Sequence, residues 1–116
     1  MTGGTGVVGR ALVERLLAVD RQVIALARSE AAERALAGRG ARPVAGNVLD
    51  QEALRAGMEG CDVVFHMAGL NALCPPHRDT LVRVNVHGAR AVAEAAAHAG
   101  ARRRRCARVR PAPPLR

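Results

Sequence analysis

The sequence predicts an α/β fold in which short parallel strands form a doubly wound sheet covered by helices on both faces. Three observations carry this. Short apolar runs containing Val and Ile alternate with segments of helical periodicity, and strands buried on both faces read as continuous apolar runs, not as alternating ones. A glycine-rich stretch, residues 2–9, leads directly into the first helical segment. The chain of 116 residues has a single aromatic residue, Phe65, so its core has to be assembled from Ala, Val and Leu. At this length it is one small domain with little core to spare.

In order along the chain, Val8, Leu12, Leu16 and Val19 recur at helical spacing and predict an amphipathic helix over 7–19 with these four on its buried face. The run 23–27 predicts a buried strand. Ser29 is placed to cap a helix over 30–38, which Gly38 and Gly40 end. Residues 43–46 form a weaker second strand, and Asp50 caps a helix over 51–58 that stops at Gly60. The run 61–67 is the most strand-like in the chain. After a loop containing Pro75 and Pro76, Asp79 opens one long helix to about residue 99, stopped by Gly100. Its Ala-rich part, 89–99, is expected against the sheet rather than against a second subunit. No internal repeat is visible.

Charge divides the chain. Residues 1–101 contain all 10 acids and 11 of the 18 basic residues, and residues 102–116 contain seven Arg and no acid. The body is therefore nearly neutral and the tail strongly basic. Pro111, Pro113 and Pro114 oppose regular structure there. The organisation expected is a domain over 1–101 and an Arg/Pro-rich tail over 102–116, either disordered or translated in a shifted reading frame after about Arg103. Arg102–Arg105 with Arg108 and Arg110 would suffice for salt-sensitive contact with nucleic acid, but no aromatic is interleaved for base stacking, so no selected nucleic-acid role is expected. Cys61, Cys74 and Cys106 are an odd set without framework spacing and read as free thiols in a reducing compartment. No apolar run reaches the roughly 18 residues of a membrane span and no signal peptide is visible, so the expected location is cytoplasmic. Cys74 and His77 make one close pair, with Cys61 and His66 further off in sequence; a zinc site needs about four ligands, and no metal is expected.

The stretch Thr2-Gly3-Gly4-Thr5-Gly6-Val7-Val8-Gly9 has a physical logic. A turn that tight needs a residue without a Cβ, a phosphate group can approach the bare backbone, and the helix start beyond it offers unpaired N–H groups and the positive end of a dipole to an anion. The glycine spacing is three and three, distinct from the G-x-G-x-x-G of the broad dinucleotide fingerprint.

Three further stretches follow in order: Gly46-Asn47-Val48-Leu49-Asp50, Asp62-Val63-Val64-Phe65-His66-Met67-Ala68-Gly69 and Val84-Asn85-Val86-His87-Gly88-Ala89. Together with the glycine loop they resemble the opening of the extended short-chain dehydrogenase/reductases, the NAD-dependent epimerase/dehydratase family, over residues 1 to about 101. The resemblance implies a Rossmann-like doubly wound parallel sheet, here incomplete, with the first strand missing and the fifth doubtful. It implies that Gly3, Gly6 and Gly9 shape a pyrophosphate loop with Thr5, Val7 and Val8 beside the phosphates. Asn47, where the family usually has Asp, would flank the adenine with Val48 and offer its carbonyl to the adenine amine. Ala68 and Gly69 would line the ribose next to the nicotinamide, and Asn85 would lie on the long helix behind the reactive end. The cofactor implied is NADP or NAD. NAD binders place an acid at the end of the second strand for the ribose 2′-hydroxyl; here Ala27 and Arg28 stand there, which favours NADP, since Arg28 can pair with a 2′-phosphate.

The family's hydride chemistry uses a Tyr, a Lys four residues later and a nearby Ser or Thr. This chain has no Tyr and no Lys, so no catalytic residue is assigned, and the chain as given is expected to be a truncated product with residual or no cofactor binding and no turnover of substrate. A small-molecule substrate, a carbonyl compound or sugar nucleotide, is expected only for a full-length parent; the dihydroflavonol-reductase or hydroxysteroid-dehydrogenase branch is the nearest in pattern. The glycine loop should also follow an apolar strand of about five residues, whereas Met1 leads straight into it. Losing that central strand would leave a gap of roughly 9–10 Å between its neighbours and unpaired edges on both.

Overall fold

The computed structural model describes residues 1–71, 78–101 and, as backbone, 103–106. Cys74, Pro75, Pro76, His77, Arg102 and the tail from 107 onwards lie outside the described residues. The elements run α1 (Val7–Leu17), β1 (Ile24–Ala27), α2 (Glu30–Ala37), β2 (Arg42–Ala45), α3 (Gln51–Met58), β3 (Val63–His66), α4 (Arg78–Val82), a π-turn (Arg83–His87), α5 (Gly88–His98) and β4 (Arg103–Cys106). The predicted α/β alternation is present element by element, with the long helix predicted over 79–99 interrupted by one widened turn.

The strands make two parallel pairs. β1 pairs with β2, Ile24 opposite Arg42 to Ala27 opposite Ala45. β3 pairs with β4, Val63 opposite Arg103 to His66 opposite Cys106. The fifth strand, in doubt on the sequence, is thus present as backbone, and the boundary expected after residue 101 falls just before it. Between β1 and β3 lie Met1 and Thr2. The Leu26 amide donates to the Met1 carbonyl at 2.9 Å, the Thr2 amide to the Phe65 carbonyl at 3.0 Å and the Met67 amide to the Thr2 carbonyl at 3.1 Å. The Met1 ammonium donates to the Ile24 carbonyl. Met1 and Thr2 thus occupy the position between β1 and β3, with Thr2 bridging His66 in parallel. The expected gap is closed at its carboxyl end, because two residues are enough to hydrogen-bond both neighbours. Closing it buries a terminal ammonium, whose pKa falls below its usual value through lost hydration, an effect partly offset by Cys61.

Two apolar layers cover the two faces. On one, α1 and α2 bury Val13 and Leu36 over Val23, Ala25 and Ala27. On the other, α3 and α5 bury Leu54, Met58, Val92, Ala95 and Ala96 over Val64 and Val48. Alanines on α5 let that helix approach closely. The face predicted for α1 is rotated in the structure: Val8 and Val19 are 56% and 63% exposed, and Gly9 and Val13 face the sheet instead. Gly9 explains the rotation, since it is the one position on the first turn small enough to lie on the glycine loop. Helix caps fall where expected: Ser29 Oγ accepts from the Ala32 amide at 3.2 Å, and Asp50 Oδ1 from Ala53 at 3.0 Å. No helix among the described residues is long and apolar enough to cross a membrane.

Candidate dinucleotide-binding cleft

The carboxyl ends of β1, β2 and β3 and the turn after Thr2 open into one cleft of about 730 Å³, within the usual size of a small-ligand site. Its floor is the glycine loop. Gly3 has φ +74°, and a Cβ there would lie 2.6 Å from the Ala68 nitrogen and the Met67 carbonyl carbon. The loop and the segment after β3 can touch only because Gly3 is bare. A Cβ on Gly9 would lie 1.9 Å from the Gly3 carbonyl oxygen, so Gly9 lets α1 settle on the loop. Gly6 differs. Its backbone is extended, at φ −71° and ψ 169°, and a Cβ would meet only the Gly3 oxygen at 3.4 Å. Neither conformation nor packing requires a glycine there, and the open side faces the cleft.

Gly6 is also the N-cap of α1, which has no side-chain cap and no acid in its first turn. The first-turn amides of Val7, Val8 and Gly9 have no acceptor inside the helix, so the helix start keeps its partial positive charge for a ligand. Val7 is 79% exposed; the side chains of Val7 and Val8, like Gly9, do not line the cleft, and any contribution they make to an anion is through backbone.

The loop after β3 is held by two side chains. Thr2, 1% exposed, brings its Oγ1 within 2.7 Å of His66 Nδ1 and accepts from the Ala68 amide at 3.3 Å. Burial lowers the His66 pKa below its usual value; with the ring neutral, the Thr2 hydroxyl can accept from Ala68 and donate to Nδ1. Asn85, expected behind the reactive end, does not line the cleft. Its Oδ1 accepts from the Leu70 amide and its Nδ2 donates to the Leu70 carbonyl, both at 2.8 Å. It fixes the position of Ala68, Gly69 and Leu70, which do line the cleft.

Gly3, Thr5, Gly6, Arg28, Asn47, Val48, Ala68 and Gly69 come together on the walls. Asn47 also has a local role. Its Oδ1 accepts from the Leu49 amide at 2.9 Å, closing a turn on itself, so one acceptor site of that carbonyl is already engaged. Val48 is mostly core: a Cβ on Gly88 would lie 2.7 Å from its Cγ2. Sequence reasoning missed Ser29 and Ala32 beside Arg28, Leu70 after Gly69, and Thr80, Arg83 and Val84 on the segment before α5. The last three follow helical spacing, i, i+3, i+4, and that was the signal available. None of the lining residues is Asp or Glu, and two are Arg. Among the described residues no three His, Cys, Asp or Glu side chains converge as a metal site would require.

Comparison with known proteins agrees with this geometry. A family described as NAD(P)H-binding matches residues 3–106. A 4-hydroxy-2-methyl-3-oxo-4-farnesyl-3,4-dihydroquinoline-1-oxide ketoreductase from Stigmatella aurantiaca is 41% identical over 96 residues, 83% of this chain and 28% of that protein. A short-chain dehydrogenase/reductase superfamily protein from Agrobacterium tumefaciens, solved with bound NAD, superposes with a TM-score of 0.77 at 33% identity, over 90% of this chain and 30% of that one. The triphenylmethane reductase of Citrobacter sp. complexed with NADP(H) gives 0.66 at 27% identity, over 90% and 35%. The chain thus spans about a third or less of the length of each.

Proposed function

The chain belongs to the NAD(P)H-binding family, as the cofactor-binding part of an extended short-chain dehydrogenase/reductase, and from that premise we propose that its cleft holds NADP in preference to NAD. The observation that carries the preference is that, among the described residues, no carboxylate lines the cleft, together with Arg28 at the carboxyl end of β1. An acid at that position would accept from the ribose 2′-hydroxyl and repel a 2′-phosphate; an arginine does the reverse. Ser29, next in the chain, accepts from the Ala32 amide in capping α2, and its hydroxyl hydrogen is left to donate to the same phosphate beside the guanidinium.

The residues fit the cofactor: the bare face of Gly6 and the first-turn amides of α1 would take the pyrophosphate, Asn47 and Val48 the adenine end, and Ala68 and Gly69 the nicotinamide ribose. The nicotinamide, when bound, supplies hydride chemistry; this chain has no Tyr or Lys to move the accompanying proton. The chain as it stands binds cofactor without turnover, and the whole protein of which such a domain is a part reduces a small carbonyl compound, in keeping with the ketoreductase relative. Titration calorimetry of the chain with NADP and NAD tests the preference. NADP is expected to bind roughly tenfold more tightly, and Arg28→Met to remove the difference; equal affinities in the unaltered chain would overturn it.

A further inference from the structure

We infer that Arg83 is a second phosphate contact in this cleft, acting on the phosphates common to NAD and NADP while Arg28 acts on the one that distinguishes them. This rests on the dinucleotide reading above. Three observations carry it. First, the chain has ten acids and none lines the cleft, whereas Arg28 and Arg83 both do; a wall with two guanidiniums and no carboxylate suits a ligand with more than one anionic group.

Second, the two cations approach from opposite faces of the sheet. Arg28 precedes α2, which packs with α1 on one face. Arg83 precedes α5, which packs with α3 on the other. The glycine loop, with Thr5 and Gly6, lines the same cleft. Two cations carried by elements of opposite faces suit a ligand whose phosphates are spread along its length.

Third, the backbone that carries Arg83 is held in place. It opens the π-turn, where the Gly88 amide donates back to the Arg83 carbonyl. Asn85 in the same turn is bonded twice to Leu70, and Gly88 rests against Val48. The turn is thus tied to two cleft walls, and widened turns of this kind recur where a helix must place side chains at a site. Among the described residues, Arg83 has no ion-pair partner, in contrast to Arg34 with Glu30 and Arg90 with Glu94.

The test is titration calorimetry of the full chain and of Arg83→Met and Arg28→Met with NADP, NAD and adenosine, with thermal unfolding as the check on folding. Arg83→Met is expected to weaken NADP and NAD by the same factor, about tenfold, to leave their ratio and the melting temperature unchanged, and to leave adenosine binding unaltered. Arg28→Met is expected to change the ratio instead. Unaltered nucleotide affinities in Arg83→Met overturn the assignment while the dinucleotide reading stands, as does a loss confined to NADP. An equal loss of adenosine affinity also overturns it, since stacking on the base would then be the interaction removed. Failure of the unaltered chain to bind either nucleotide overturns the dinucleotide reading and this inference with it. Arg83→Gln, which keeps hydrogen-bond donors and removes the charge, is expected to behave like Arg83→Met and guards against a packing effect of the methionine.

Discussion

Gly6, the N-cap of α1, and Gly9, on its first turn, sit three residues apart and respond to substitution for different reasons. Alanine at position 9 would place a Cβ 1.9 Å from a backbone oxygen, so α1 has to lift off the loop. The expected cost is about 2–3 kcal/mol, a fall in melting temperature on the order of 10 °C. Alanine at position 6 meets nothing closer than 3.4 Å. Its expected cost is about 1 kcal/mol, the difference between glycine and alanine as an N-cap, while NADP affinity falls at least roughly tenfold because the methyl group occupies the phosphate approach. Thermal unfolding and nucleotide titration on both variants separate the two effects. His66 is a third residue-scale case. Burial lowers its pKa, so the folded chain binds fewer protons than the unfolded one between the lowered value and the ordinary 6.5. Stability therefore rises with pH across that window and is lost as pH falls below about 6.5. Urea midpoints at pH 7.5 and 5.5 are expected to differ for the native chain and to converge for His66→Asn, after allowance for the Met1 ammonium.

At the scale of elements, the widened turn between α4 and α5 decides how the loop after β3 is presented. Asn85 makes two 2.8 Å bonds to the Leu70 backbone, and Gly69 lies close enough that an added Cβ would touch Asn85 Oδ1 at 3.5 Å. Asn85→Ala removes both bonds. The expected cost is about 1–2 kcal/mol in stability, with faster amide hydrogen exchange at Leu70 and weaker nucleotide binding, although Asn85 does not line the cleft. Unchanged exchange at Leu70 would show that the loop is held by other means. The motif Asn-Val-x-Gly is legible in the sequence as a unit, yet its physical content, one residue bonding a distant loop and another clearing space for Val48, depends on contacts 15 and 40 residues away in the chain.

At the scale of the molecule, two two-stranded ladders are joined through Met1 and Thr2. In the chain as given the Met1 ammonium lies at this join, and its pKa is lowered by burial. Four apolar β-branched residues added before Met1 are expected to raise the melting temperature by several degrees. They would move the charge to the sheet's edge and pair the open backbone of β1 and β3. Stability should also lose the part of its pH dependence that the ammonium contributes, which in the native chain rises with pH up to about its ordinary value of 8.0. Thermal unfolding at pH 6.5 and 8.5 on both chains checks this.

The sequence by itself determined the α/β alternation, the caps at Ser29 and Asp50 and the glycine loop before α1, because each of these is written in local spacing. Only the tertiary structure decided which face of α1 is buried, where two residues suffice to bridge a split sheet, that Asn47 is engaged with its own turn, and that Arg83 shares a cleft with Arg28. The physical reason is the same in each case. Periodicity fixes which residues share a side of an element, but how that side is turned and what it meets depends on backbone approach between distant segments, which here is set by single bare positions such as Gly3, Gly9 and Gly88.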